Sequence, residues 1–413
     1  MLKIIILSAY FVSLFFIIFW ILVFLEKGVK DKKIKLNVFP KVSICIPAYN
    51  EEDSIEETIN SALKLDYPEK NIEILIVNDG STDKTREIAE KVIKNNKHRN
   101  IILINQINKG KAVAMNTGLK VATGEYFISL DADSVPKKDI LKKILPYFTE
   151  ENIAAVLPLI RIEKPRTFMQ RIQHCEYSIN FFYKKLMSNL DCVHVTPGPF
   201  SVYKTSILRK IKGYDPGNIT EDLEIAVRLQ RNYYRIIQLL IPEIETKAPP
   251  TFCEFYKQRN RWYKGSLINL WRNRDMIFNK NYGDFGMFQL PMILMSAILS
   301  VTLFVSFVII MFLRPLVKTL INFSFINFDV SPAVRKAVSY FTLFDVNISP
   351  LFYGIILSLF GLFFLLLSFS NTRMSVKKNI KAIVPYILVY PFIISIIWIG
   401  VLFDLIRGNT KKW

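Results

Sequence analysis

The 413-residue chain reads as a mostly parallel α/β domain set among apolar helices able to cross a membrane. Three observations predict this. Short β-branched runs alternate with helical stretches from 42 to 157, apolar runs flank the polar region, and acidic motifs stand where strands end.

Residues 4–25 are apolar for 22 positions without a charge, long enough to span a bilayer. Only Lys3 precedes the run, and neither a small-residue cleavage site nor a short signal core is present, so it reads as a retained anchor. Lys27, Lys30, Lys32, Lys33 and Lys35 follow it, and the positive-inside rule then predicts a multi-pass protein of the cell membrane with residues 26 to 285 in the cytoplasm. Further apolar runs lie at 287–313, 351–370 and 383–403. Four spans would leave Arg407, Lys411 and Lys412 outside, against that rule, and Pro385 and Pro391 make 383–403 either a span or a re-entrant segment.

Between the first two apolar runs, strands are predicted at Val42–Ile46, Glu73–Val77, Ile101–Ile104, Tyr126–Leu130 and Ala154–Leu157. Helices are predicted near 53–64, 83–95, 110–122 and 138–149. Such alternation gives a parallel sheet covered on both faces, with ligands at the carboxyl ends of its strands. In 166–190, Phe168, Ile172, Cys175, Ile179, Phe182 and Leu186 recur at helical spacing; the helix rests on the membrane or on the protein core. Residues 251–274 mix Phe252, Phe255, Tyr256, Trp262 and Trp271 with arginine and lysine, and read as interfacial.

The formal net charge of +19 does not make nucleic acid a partner, because the basic residues sit beside apolar segments, where anionic lipid headgroups attract them. Cys45, Cys175, Cys192 and Cys253 are scattered, with no zinc spacing or disulfide framework.

Five motifs follow in order. Pro47-Ala48-Tyr49-Asn50-Glu51 ends the first strand; Asn50 can cap the next helix, while Tyr49 can stack on a nucleobase. Asn78-Asp79-Gly80 is a turn whose Asp79 can accept from a uracil N–H, with Ser81 or Thr82 capping the helix after it. Lys111 stands at a helix start suited to phosphate. Asp131-Ala132-Asp133 puts two carboxylates together after an apolar strand; they repel unless a cation lies between them, and Mg²⁺ or Mn²⁺ with a diphosphate suits that oxygen set. In Thr220-Glu221-Asp222, Thr220 can cap a helix at 221–232, or a carboxylate can serve as general base. Gln258-Arg259-Asn260-Arg261-Trp262 offers Arg261 for phosphate and Trp262 as a face for a sugar ring, or else an interfacial anchor.

Together these residues resemble the membrane-integrated family 2 glycosyltransferases, the group of poly-N-acetylglucosamine, chitin, hyaluronan and cellulose synthases. The resemblance runs from the first apolar segment to the last. It implies a GT-A fold and inverting, processive β-transfer, with N-acetylglucosamine as the leading sugar. The donor would be a UDP-sugar, and the acceptor a growing polysaccharide or a lipid-linked sugar. Pro47, Tyr49, Glu51, Asp79 and Lys111 would then hold UDP, Asp131 and Asp133 the metal, and Asp222, beside Glu221, would be the base. Gly198-Pro199 would lie beneath the acceptor, and Gln258, Arg261 and Trp262 would hold diphosphate and acceptor. The implied division is an anchor at 1–26, the cytoplasmic domain at 27–250, interfacial helices at 251–285 and a membrane region at 286–413. Ceramide glucosyltransferases carry similar motifs, so single addition to a lipid remains open. So does a non-catalytic polysaccharide assembly subunit, and accessory export subunits are possible partners. Asn78 stands where many relatives have a second acid, and one segment before the domain with three after it fits the cellulose-synthase branch least.

Overall fold

The computed structural model describes residues 2–325 and 348–408; Lys411 and Lys412 lie outside them. Helix α1 (Leu2–Lys27) carries no charge from Ile4 to Leu25 and ends at Gly28, whose φ of 63° is the left-handed stop that glycine tolerates. The connector to the first strand is held by hydrogen bonds near both of its ends. Asn189 donates to the Gly28 carbonyl, Tyr67 to that of Pro40 and Asn71 to that of Phe39. Asp31 accepts from the backbone of Leu240 and Ile241 and pairs with Lys185 at 2.8 Å.

Eight strands form one sheet: β1 (Val42–Ala48), β2 (Ile72–Asp79), β3 (Ile101–Gln106), β4 (Tyr126–Ser129), β5 (Ser134–Pro136), β6 (Ile153–Ile162), β7 (Ser201–Lys204) and β8 (Arg235–Thr246). Their order is β3-β2-β1-β4-β7-β6-β8-β5. β3, β2, β1 and β4 are parallel, and β7 runs antiparallel to both β4 and β6. Ile44, Ile46, Ile74, Ile76 and Phe127 are almost wholly buried, as the continuous apolar runs of a sheet covered on both faces require.

The helices of the domain are α2 (Ile55–Leu63), α3 (Thr85–Asn95), α4 (Lys111–Val121), α5 (Ile140–Ile144), α6 (Phe168–Ser188), α7 (Thr205–Lys210), α8 (Glu221–Arg231) and α9 (Phe252–Arg272). After them come α10 (Leu290–Val308), α11 (Arg314–Phe325), α12 (Ile348–Asn371), α13 (Val376–Leu388) and α14 (Tyr390–Ile406). Among the described residues three helices are long and apolar enough to cross a membrane, at Ile4–Lys27, Phe285–Val308 and Phe352–Asn371. The segment expected to span or re-enter is the bent pair α13–α14, broken by 47°. Pro385 inside α13 and Pro391 in the first turn of α14 account for the break.

Several local expectations need correction. β1 runs through Pro47 to Ala48 instead of stopping before it. α2 starts five residues after Asn50, whose side chain accepts from the Thr82 amide instead of capping. Neither Ser81 nor Thr82 caps α3; the carboxylate of Asp83 takes the Thr85 amide. The helix expected over 138–149 shortens to α5 and a 3-10 turn containing Pro146. The short strands β5 and β7 and the longer β8 carried too little alternation to be recognised.

Candidate active site

Because β1, β2 and β4 are parallel, with Ala48 beside Asn78 and Cys45 beside Ser129, their carboxyl ends open on one edge. Tyr49, Glu51, Asp131 and Asp133 all follow there. β7 is antiparallel to β4 and pairs Ser201 with Ser129, so the Gly198-Pro199 loop before it reaches the same edge. The Ser129 hydroxyl donates to the Gly198 carbonyl at 2.9 Å. Phe200, fully buried, holds a φ of 55°, a left-handed conformation that an aromatic residue adopts only when its surroundings enforce it.

Lys111, in the first turn of α4, lies 2.6 Å from Asp131 Oδ1 and 3.3 Å from Glu221 Oε1. It thus joins the β4 end to the α8 start. Burial alone would lower the Lys111 pKa, but Asp131 and Glu221 raise it well above the usual value. Gly198 closes over this pair: a Cβ there would stand 2.5 Å from both Lys111 Nζ and Asp131 Oδ2. Asp133 receives the Ser134 hydroxyl, and the Thr246 hydroxyl lies 3.5 Å away. Burial, Asp131 and Glu51 push it up to about 6.

In α8, burial would raise Glu221, but Lys111 and Arg261 hold it below the ordinary carboxylate value. Burial and the adjacent Glu221 push Asp222 up to about 6, against the pull of Lys111, Arg261 and Lys184. Thr196 ties the Asp222 carbonyl to the Gly198 loop through its amide and hydroxyl. Thr220 precedes α8 but does not cap it with its side chain; its hydroxyl accepts from Asn269 of α9. Gly265 lets α9 approach, since a Cβ there would meet Thr220 Oγ1 at 2.3 Å.

Sequence reasoning placed Asp131, Asp133, Lys111, Glu221, Asp222 and Arg261 in one site, and the structure brings them together. Tyr49 is half exposed at the edge. Asp79 stands apart from open solvent at 3% exposure, where it accepts from Gln106 and from the amides of Lys109 and Gly110. Trp262 has the Arg259 guanidinium 4.0 Å from its ring centroid and is partly buried. Gln258 accepts from Arg259. Arg259 itself, fully buried on Glu176 at 2.6 Å, is a structural arginine within the motif. Asn218, Gly265, Asn269, Lys184 and Thr246 were missed; none has a sequence signal, because each acts through a tertiary contact.

Among the described residues no group of three or more His, Cys, Asp or Glu could hold a metal by itself. The carboxylates of Asp131 and Asp133 still carry excess negative charge: burial first, then Asp131 and Glu51, raise Asp133. This donor set suits a hard divalent ion that takes its remaining oxygens from a diphosphate.

Residues 43–212 match the family described as Glycosyl transferase family 2. A poly-beta-1,6-N-acetyl-D-glucosamine synthase of Staphylococcus epidermidis is 34% identical over 232 residues, covering 54% of each chain. The synthase of that name from Staphylococcus aureus (strain MSSA476) is 32% identical over 267 residues, 62% of this chain and 63% of its own length. The chain thus spans between half and two thirds of these relatives. Among solved structures, a mannosyltransferase from Pyrobaculum calidifontis, in complex with GDP-Man and Mn2+, superposes with a TM-score of 0.61 at 19% identity. That match covers 94% of this chain and 99% of the other, and it shows a shared fold. The architecture is GT-A, a curled and mostly parallel sheet combined with apolar helices, and the match to the family 2 glycosyl transferases covers residues 43–212 of it.

Proposed function

We propose that the protein is a processive, inverting β-glycosyltransferase that moves N-acetylglucosamine from its UDP ester onto a growing polysaccharide. The observation that carries this is the junction at Lys111, where the Asp131-x-Asp133 and Thr220-Glu221-Asp222 motifs meet across 2.6 and 3.3 Å. The relatives named as poly-beta-1,6-N-acetyl-D-glucosamine synthases support the sugar. The apolar helices mark a membrane protein. The lysines after α1 support a catalytic domain facing the cytosol, with 1–26 as anchor, 27–250 as that domain, 251–285 as interface and 286–413 as membrane region.

In this reading Tyr49 lies under the base, Glu51 and Asp79 line the nucleotide end, and Pro47, inside β1, leads into the segment that carries Tyr49 and Glu51. Asp131 and Asp133 hold Mg²⁺ or Mn²⁺, which when bound offsets charge on the leaving diphosphate. Asp222 takes the proton of the acceptor hydroxyl as its oxygen bonds to the anomeric carbon. The bond from that carbon to the diphosphate oxygen breaks with inversion, and UDP leaves with the electron pair. Lys111 and Arg261 neutralise the departing charge, while Gly198-Pro199, Gln258 and Trp262 seat the acceptor. Asp222, pushed upward by burial and by Glu221 against the pull of nearby cations, is basic enough to accept a proton and still ionised near neutrality.

The test is transfer by purified protein in vesicles with Mn²⁺, offered labelled UDP-N-acetylglucosamine, UDP-glucose or GDP-mannose singly. A polymer ladder from the first donor alone is expected. A single-sugar lipid would overturn processivity, and no release of nucleoside diphosphate from any donor would overturn the reaction.

A further inference from the structure

α9 carries three rows of contacts at helical spacing. Phe255, Arg259 and Trp262 form the row that meets α6 through the buried Arg259–Glu176 pair. Arg261, Gly265 and Asn269, four apart, form the row that meets the catalytic turn: Gly265 packs on Thr220, and Asn269 exchanges amide hydrogen bonds with Asn218 while donating to Thr220. Tyr256, Asn260, Tyr263 and Lys264 form the third row, and it meets the last helix. There Lys264, 9% exposed, pairs with Asp404 at 2.8 Å, and Tyr263 stacks on Trp398 at 4.5 Å and 7°. Gly400 lies so close to Tyr256 that a Cβ would stand 2.1 Å from the phenol oxygen. A carboxylate within an otherwise apolar helix is costly unless paired, and its partner here sits one turn from Arg261.

We propose that Asp404 and Lys264 are positioning residues for the transfer reaction. They lock the far side of α9 to α14, and so fix where Arg261 and the Thr220-Glu221-Asp222 turn stand relative to the membrane-spanning region. The reaction named here is that of the preceding section; the mechanical linkage is read from contacts alone. Both α9 rows belong to one continuous helix, so a shift on the Asp404 side is delivered to Thr220 within the same 21-residue rod.

The experiment compares Asp404→Leu, Asp404→Glu and Gly400→Ala, the last of which leaves the ion pair in place. Deuterium exchange of peptides covering 214–224 is read together with UDP binding and the rate of sugar transfer. The expected result is faster exchange at 218–223 in Asp404→Leu and Gly400→Ala and UDP affinity within about twofold of wild type. Transfer should fall about tenfold or more, as misplacement of a reacting group by a fraction of an ångström implies. Asp404→Glu should restore both readouts. The proposal is overturned if exchange changes stay within 252–272 and 390–406 while transfer is unaltered. It is equally overturned if UDP binding and transfer fall together with the folded fraction and Asp404→Glu rescues neither. Wild-type protein that transfers no sugar would sink the functional reading, and the exchange data would still decide the linkage.

Discussion

Gly198→Ala is the sharpest single-atom perturbation available to this site. The added Cβ would lie 2.5 Å from Lys111 Nζ, 2.5 Å from Asp131 Oδ2 and 2.6 Å from Asp131 Oδ1, whereas real Cβ atoms essentially never approach within 3.0 Å. Something must therefore move by about 0.5 Å or more. Asp131 is short and fixed at the end of β4, so the loop or the lysine has to give way. If the loop retreats, it carries Thr196, which holds the Asp222 carbonyl. If Lys111 retreats, its 2.6 Å pair with Asp131 opens. Either path misplaces a reacting or charge-stabilising group by a fraction of an ångström, an effect that costs on the order of 10- to 100-fold in rate. The stability cost should stay near 1–3 kcal/mol, the usual range for overpacking. UDP release from UDP-N-acetylglucosamine measures the rate, and thermal unfolding in detergent measures the stability. Gly354→Ala, where a Cβ meets nothing within 4 Å, serves as the control. A Gly198→Ala protein with the turnover and UDP affinity of wild type would refute the close approach as a requirement.

Asp222→Asn should abolish transfer while UDP binding changes little, since the amide keeps the shape and loses the base; retained turnover would remove Asp222 from that role. Because Asp222 is pushed up to about 6 by burial and Glu221, turnover should rise as pH passes through about 6 and level off above it, where the base is ionised. Glu221→Gln removes a neighbouring negative charge, so that acid limb should move to lower pH; an unmoved limb would assign it to another group. Glu176→Gln strands the fully buried Arg259 and should cost about 3–5 kcal/mol, visible as a large fall in the unfolding midpoint. Chelation should stop transfer and added Mn²⁺ restore it, while Asp133→Asn should weaken Mn²⁺ binding measured by electron paramagnetic resonance.

The parallel half of the fold was legible because β1, β2 and β4 are buried on both faces and write short, mainly apolar runs into the sequence. Motifs at their ends inherited the same legibility, because a strand end fixes both position and direction. The antiparallel β7 was not visible: four residues, Ser201–Lys204, carry no periodicity, and its pairing with β4 is wholly non-local. For the same reason Gly198 could be named from resemblance but not explained. The need for glycine lies in the proximity of Lys111 and Asp131, residues 87 and 67 positions away in sequence. Asn50 shows the opposite failure. Its local chemistry favours capping, yet the structure spends its side chain on Thr82 across the strand ends, a tertiary contact outweighing a local preference.

The connector after α1 sets how the domain is carried. Asp31 is fastened to the backbone of β8 and to Lys185, and Asn189 to Gly28. A slack tether would let the globular part tip and wander above the bilayer. This one is seamed to the body it supports, so the orientation of the domain follows that of α1. A residue inserted between 28 and 31 would not simply lengthen a leash; it would throw those fastenings out of step and turn the sheet's open edge relative to α1.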